Sequence, residues 1–82
     1  METRVALMGI IVESNESVSK LNSILSEYSK YIIGRMGVPY QSKGMNIISV
    51  AVDAPQNITS TISGKIGALS GMTAKTIYAG KK

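Results

Sequence analysis

The chain has no cysteine, histidine, tryptophan or phenylalanine. Without cysteine there is no disulfide framework. Without cysteine or histidine, the soft donors that hold nickel, zinc or an iron–sulfur cluster are missing, so no tight binding of such metals is expected. Nucleophilic catalysis loses both its thiolate and its imidazole base. Acidic residues are few: Glu2, Glu13, Glu16, Glu27 and Asp53. They fall at a terminus, at candidate caps and on a helix face, where each has an ordinary structural role. Glu13 and Glu16 near one loop supply two hard ligands, without the glycine-rich spacing of a calcium loop. No catalytic set emerges, so the expectation is a protein that is not an enzyme and uses no cofactor.

Long apolar runs are also missing. Val5 to Val12 is the longest candidate, far short of the roughly 20 residues that span a bilayer. Glu2 dilutes the basic start, and no small-x-small cleavage site follows, so a signal peptide is not read here. A cytoplasmic protein without membrane contact is expected. In that setting the glycosylation-like triplets at Asn15 and Asn57 carry no weight.

What is present is 82 residues, 44% of them hydrophobic, with a net charge of +4. That length makes one domain over 1–82, burying about 60–65% of its unfolded surface and stable by only a few kcal/mol. Small domains are reinforced by disulfides, metals or self-association, and self-association is the device left. The basic residues Arg4, Lys20, Lys30, Arg35, Lys43, Lys65, Lys75, Lys81 and Lys82 form no block and no helix face. They read as a solvated surface, and no specific nucleic acid is expected.

Patterning predicts six elements. Arg4 to Val12 is a strand apolar on both alternate faces, Val5-Leu7-Ile11 on one and Ala6-Met8-Ile10-Val12 on the other, as in a central strand. Ser14 and Asn15 are good N-caps, and Val18, Leu21, Leu25 and Tyr28 recur at helical spacing, predicting a helix over Glu16–Ser29. Tyr31 to Met36 is predicted as an edge strand interrupted by Gly34 and Arg35, and Gly37 to Gly44 as a turn-rich connection. Met45 to Val52 is a third strand, with Ile48, Val50 and Val52 toward the helices and Met45, Ile47, Ser49 and Ala51 on the other side. Asp53-Ala54-Pro55 opens a second helix, with Asp53 as the cap and Pro at the first position. Ile58, Ile62, Ile66 and Leu69 are its stripe, and Gly71 its stop. Met72 to Ala79 is a fourth strand, and Gly80-Lys81-Lys82 a tail. The order is the split βαβ arrangement: α+β, ferredoxin-like βαββαβ, a four-stranded antiparallel sheet with two helices on one face.

Gly64-Lys65 is not a phosphate loop, because Thr59 stands where the first glycine belongs and Ile66 where Ser or Thr belongs. Gly64, Gly67 and Gly71 close a helix and do not form a dinucleotide fingerprint. Tyr40 beside Pro39 is either a stacking surface or packing. Arg35 inside an apolar strand is either an edge charge that discourages aggregation or an anion contact.

Gly34-Arg35-Met36-Gly37-Val38-Pro39 and the run Ile62 to Thr76, with its Ser63-Gly64-Lys65 and Ser70-Gly71 signatures, resemble a family of small regulators of the iron-only hydrogenase system. Ile10-Ile11-Val12-Glu13 fits as well. The resemblance implies a ferredoxin-like fold similar to ACT domains and to the ligand-binding domain of nickel-responsive repressors. It also implies a regulatory or effector-binding module. Two departures limit the transfer: the nickel ligands are absent, and Ser14-Asn15-Glu16 stands where ACT domains often have glycine. The sensor-like strand begins by Arg4, so a preceding DNA-binding domain is not expected. By analogy with such sensors, Ser14, Asn15 and Arg35 are the expected ligand contacts. Met8, Ile10, Met45 and Ile47 are the expected oligomer interface on the bare sheet face, giving a homodimer or homotetramer. An unidentified small-molecule effector or protein partner completes the expectation. The alternatives are a structural interaction module without ligand, or a weak nucleic-acid binder.

Overall fold

Arg4–Val12 forms strand β1, and its sequence explains its place. A strand apolar on both sides needs neighbours on both edges and cover on its faces. β1 pairs antiparallel with β3 (Met45–Ala54) along one edge and with β4 (Met72–Tyr78) along the other. β2 (Ile32–Tyr40) adds to the outside of β3, giving the order β2-β3-β1-β4. With helices α1 (Val18–Glu27) and α2 (Gln56–Gly67), this is the ferredoxin-like βαββαβ fold. The computed structural model describes residues 2–80. Lys81 and Lys82 of the expected tail, and Met1, lie outside the described residues.

The helices lie over the even-numbered side of β1. Ala6, Met8, Ile10 and Val12 cluster with Val50 and Val52 of β3, Leu21 and Leu25 of α1, and Ile62 and Ile66 of α2. Met8 and Ile10 are completely buried, which corrects the expectation that they belong to the bare face. The cause is register. Met8 stands opposite Val50 and Ile10 opposite Ile48, and directly opposed residues share a face, so both join the β-branched set beneath the helices. Met45 and Ile47 do lie on the uncovered side, opposite Tyr40 and Val38 of β2.

β2 is longer than its pattern suggests. It continues through Gly37, Val38 and Pro39 to Tyr40, where the sequence reads as a connection. An edge strand tolerates a proline because only one side needs donors, and Pro39 sits opposite Asn46. The turn proper is Gln41–Gly44, with Gly44 left-handed at φ 64. Both ends of α1 tighten into 3-10 turns, Asn15–Ser17 and Ser29–Tyr31, so the α-helix is shorter than Glu16–Ser29. Asp53 is not a cap: it is a β3 residue, and Pro55 takes the N-cap position without a side-chain bond.

Candidate functional site

Two surfaces of the described residues stand out from an otherwise ordinary polar exterior. The first is the uncovered face of the sheet. It carries Val5, Leu7 and Ile11 of β1, Met45 and Ile47 of β3, Met36, Val38 and Tyr40 of β2, and Ile77 of β4, as the pairing register shows. Several are widely exposed, Ile77 at 70% and Met36 at 64%. Lys75 and Thr73 on the outer strand β4 supply a polar rim on the same side.

The second surface is a cleft of about 270 Å³ on the helix side, between α1 and the overhanging edge strand β2. Its floor is apolar, formed by the buried Val12, Leu21 and Ile48. Its polar groups are Arg35, Asn22 and Asn46. Arg35 lies on β2 opposite Val50, on the covered side of the sheet, and its Nη2 donates to Asn22 Oδ1 at 3.0 Å. α1 does not reach far enough to cover β2, whose residues beyond Ile32 are all exposed. The cleft is the space this leaves.

Of the expected ligand contacts, Arg35 lines this cleft, whereas Ser14 and Asn15 do not. Ser14 has structural work at the β1–α1 junction. Its Oγ accepts from Glu16 N at 3.2 Å, capping the 3-10 turn. It also packs against Gly71, where an added Cβ would lie 2.7 Å from Ser14 Cβ. The neighbouring Glu13 N donates to Gly71 O at 2.7 Å. Sequence reasoning missed Asn22, Asn46 and the glycine floor at Gly37, because it read Gly37 to Pro39 as a turn. An alternation of Arg35, Gly37 and Pro39 on one side of a strand was the available signal.

A second arginine is differently placed. Arg4 borders a hollow of about 470 Å³ near the chain ends, with Gln56 and Ala79. Its Nε donates to Ala79 O at 2.8 Å, its Nη1 to Gln56 Oε1 at 3.3 Å, and its guanidinium lies 4.9 Å from the Tyr78 ring centre. Arg4 is therefore committed to holding β4 against the start of α2. The Lys65 ammonium lies 5.1 Å from the Tyr28 ring centre and 3.7 Å from Glu27 Oε2. Tyr28 first, then Glu27, holds its pKa above the ordinary lysine value. This exposed pair tethers the two helices and faces no cavity. Among the described residues, no three carboxylates gather where a cation could sit, and no helix is long and apolar enough to cross a membrane.

Comparison with known proteins places this geometry. A family profile described as TM1266-like, "Iron-only hydrogenase system regulator, putative", matches residues 4–76. Among solved structures, the chain is similar to an uncharacterized protein, TM1266, from Thermotoga maritima. The two are 28% identical at a TM-score of 0.89, over 94% of this chain and 98% of the other. A formyltetrahydrofolate deformylase from Pseudomonas putida KT2440 shares the fold at 14% identity and a TM-score of 0.63, over 89% of this chain and 28% of the deformylase. No curated protein matches. The match runs from the first residue of β1 into β4 and takes in both the Arg35 strand and the glycine-bounded α2, so the chain belongs to the TM1266-like family of iron-only hydrogenase system regulators.

Proposed function

We propose that the protein is a self-associating regulatory module of the iron-only hydrogenase system, responding to a small effector rather than catalysing a reaction. The observation that carries this reading is the uncovered sheet face. Four strands spaced by about 4.8 Å, each rising about 3.3 Å per residue, present a face on the order of 500 Å². A face of that size that is mostly apolar is at the upper end of what a monomer leaves in water. A second copy is the simplest cover. Burying the face on both protomers is worth roughly 25 kcal/mol in gross transfer terms at ~25 cal/mol per Å². Association costs about 4–15 kcal/mol, so the sum favours a dimer. Such a dimer is two-fold symmetric, with Leu7 and Ile47 near its centre. Its counterpart in function is a sensor whose ligand state alters the assembly.

Light scattering coupled to size exclusion tests the assembly. The expected mass at micromolar concentration is a multiple of the 8.7 kDa chain. A mass of one chain refutes self-association.

A further inference from the structure

Resting on the reading of the protein as an effector module, we propose that the cleft between α1 and β2 binds a small apolar carboxylate, with Arg35 as the anion contact. A guanidinium offers five N–H donors. Arg35 spends one on Asn22 Oδ1, and among the described residues no carboxylate lies within ion-pair distance of it, the ion pair there being Lys65–Glu27. Arg4 provides the internal contrast, since two of its donors go to Ala79 and Gln56 and its guanidinium lies against the Tyr78 ring. Asn46 projects on the same side of the sheet as Val12 and Pro39, and its side-chain amide makes no hydrogen bond among the described residues. The polar half of the cleft thus holds unspent donors and one positive charge.

The rest of the cleft sets the class of ligand. Leu21 and Ile48 give it an apolar floor. No acidic residue lines it, so a ligand ammonium group has no counter-charge, and a simple carboxylate fits better than an amino acid. A volume of about 270 Å³ suits a chain of about four to six carbons, below the size of drug-like ligands. Gly37 keeps the floor open. A Cβ there meets Ile48 Cγ1 at an ordinary 3.9 Å, so the backbone accepts a side chain, and a long one extends into the cleft.

The test is a ¹H–¹⁵N NMR titration of the full chain with isovalerate as the probe. Isoamyl alcohol, leucine and inorganic phosphate are the controls, removing the charge, adding an ammonium and removing the apolar tail. Isovalerate is expected to shift the Arg35 Nε–H and the Asn22 and Asn46 side-chain amides saturably, and each control to bind more weakly. Arg35→Ala is expected to weaken isovalerate at least about tenfold, the scale of one charge-assisted hydrogen bond. Gly37→Leu, by filling the floor, abolishes the shifts. If either variant fails to fold, the wild-type titration with its controls decides. The proposal is overturned if millimolar isovalerate produces no saturable shift at these side chains. It is equally overturned if phosphate matches isovalerate, or if Arg35→Ala leaves the affinity unchanged. Mass measured on the same samples separates the two readings: an oligomer without these shifts removes the ligand class alone, and a monomer that shows them removes self-association alone.

Discussion

The two faces of the central strand are nearly equal in apolar content and opposite in environment. Ala6, Met8, Ile10 and Val12 are buried beneath the helices, while Val5 and Leu7 stand about half exposed on the other side. Their difference shows that hydrophobicity alone does not assign a residue to the monomer core. On one face the apolar residues hold the fold together, and on the other they are available to a second molecule.

The largest expected effect comes from placing the same charge on each face. An isolated buried carboxylate costs more than the few kcal/mol that stabilise a domain of this size. Met8→Asp is therefore expected to be unfolded at 25 °C by far-ultraviolet circular dichroism. Leu7→Asp is expected to keep its helical signal while its scattering mass falls to one chain. Equal helical signal in the two variants would break the contrast between the faces.

The same contrast recurs at the two left-handed glycines. Gly71 has φ 76 and lies against Ser14, while Gly44 has φ 64 with open space where a Cβ would go. Both pay for a side chain in backbone strain, but only Gly71 adds a clash between the β1–α1 and α2–β4 junctions. Urea unfolding is expected to show Gly71→Ala costing about 2–3 kcal/mol and Gly44→Ala about 1 kcal/mol. A reversed order would mean that the Ser14 junction yields easily.

The smallest effect sharpens the description of the covered side. Thr59 of α2 is completely buried, and its hydroxyl has no partner among the described residues. Replacing it with the near-isosteric valine removes an unpaid desolvation penalty. Thr59→Val is expected to raise stability by about 1 kcal/mol, read as a higher melting temperature. A loss of similar size would show that the hydroxyl is satisfied.

Much of this architecture is legible in the chain itself. The helical stripe of Leu21 and Leu25, the Ile62–Ile66 stripe, and the β-branched alternation of Ile48, Val50 and Val52 all act where the pattern puts them. The site is less legible. Arg35 stands out in any reading of its strand. Its partner Asn22, thirteen residues earlier on a helix, does not, because nothing local links a polar helix position to a particular strand position. Ser14 lies apart from Arg35, at the β1–α1 junction, where its hydroxyl accepts from Glu16 N.

From the chain alone follow the order of elements, the membership in the TM1266-like family, and the absence of the soft metal donors. These depend on residue types and on periodicities of two and 3.6, which are local properties. Which half of β1 is core depends instead on long-range pairing. Both alternate sets of that strand are apolar, so its pattern has no phase, and a one-residue slip against β3 would exchange Met8 for Leu7 beneath the helices. The observed register, Met8 opposite Val50, is a long-range pairing. The separate β2–β3 pairing, with Arg35 opposite Val50 and Gly37 opposite Ile48, puts these two residues on the side where α1 ends short of β2, and so creates the cleft.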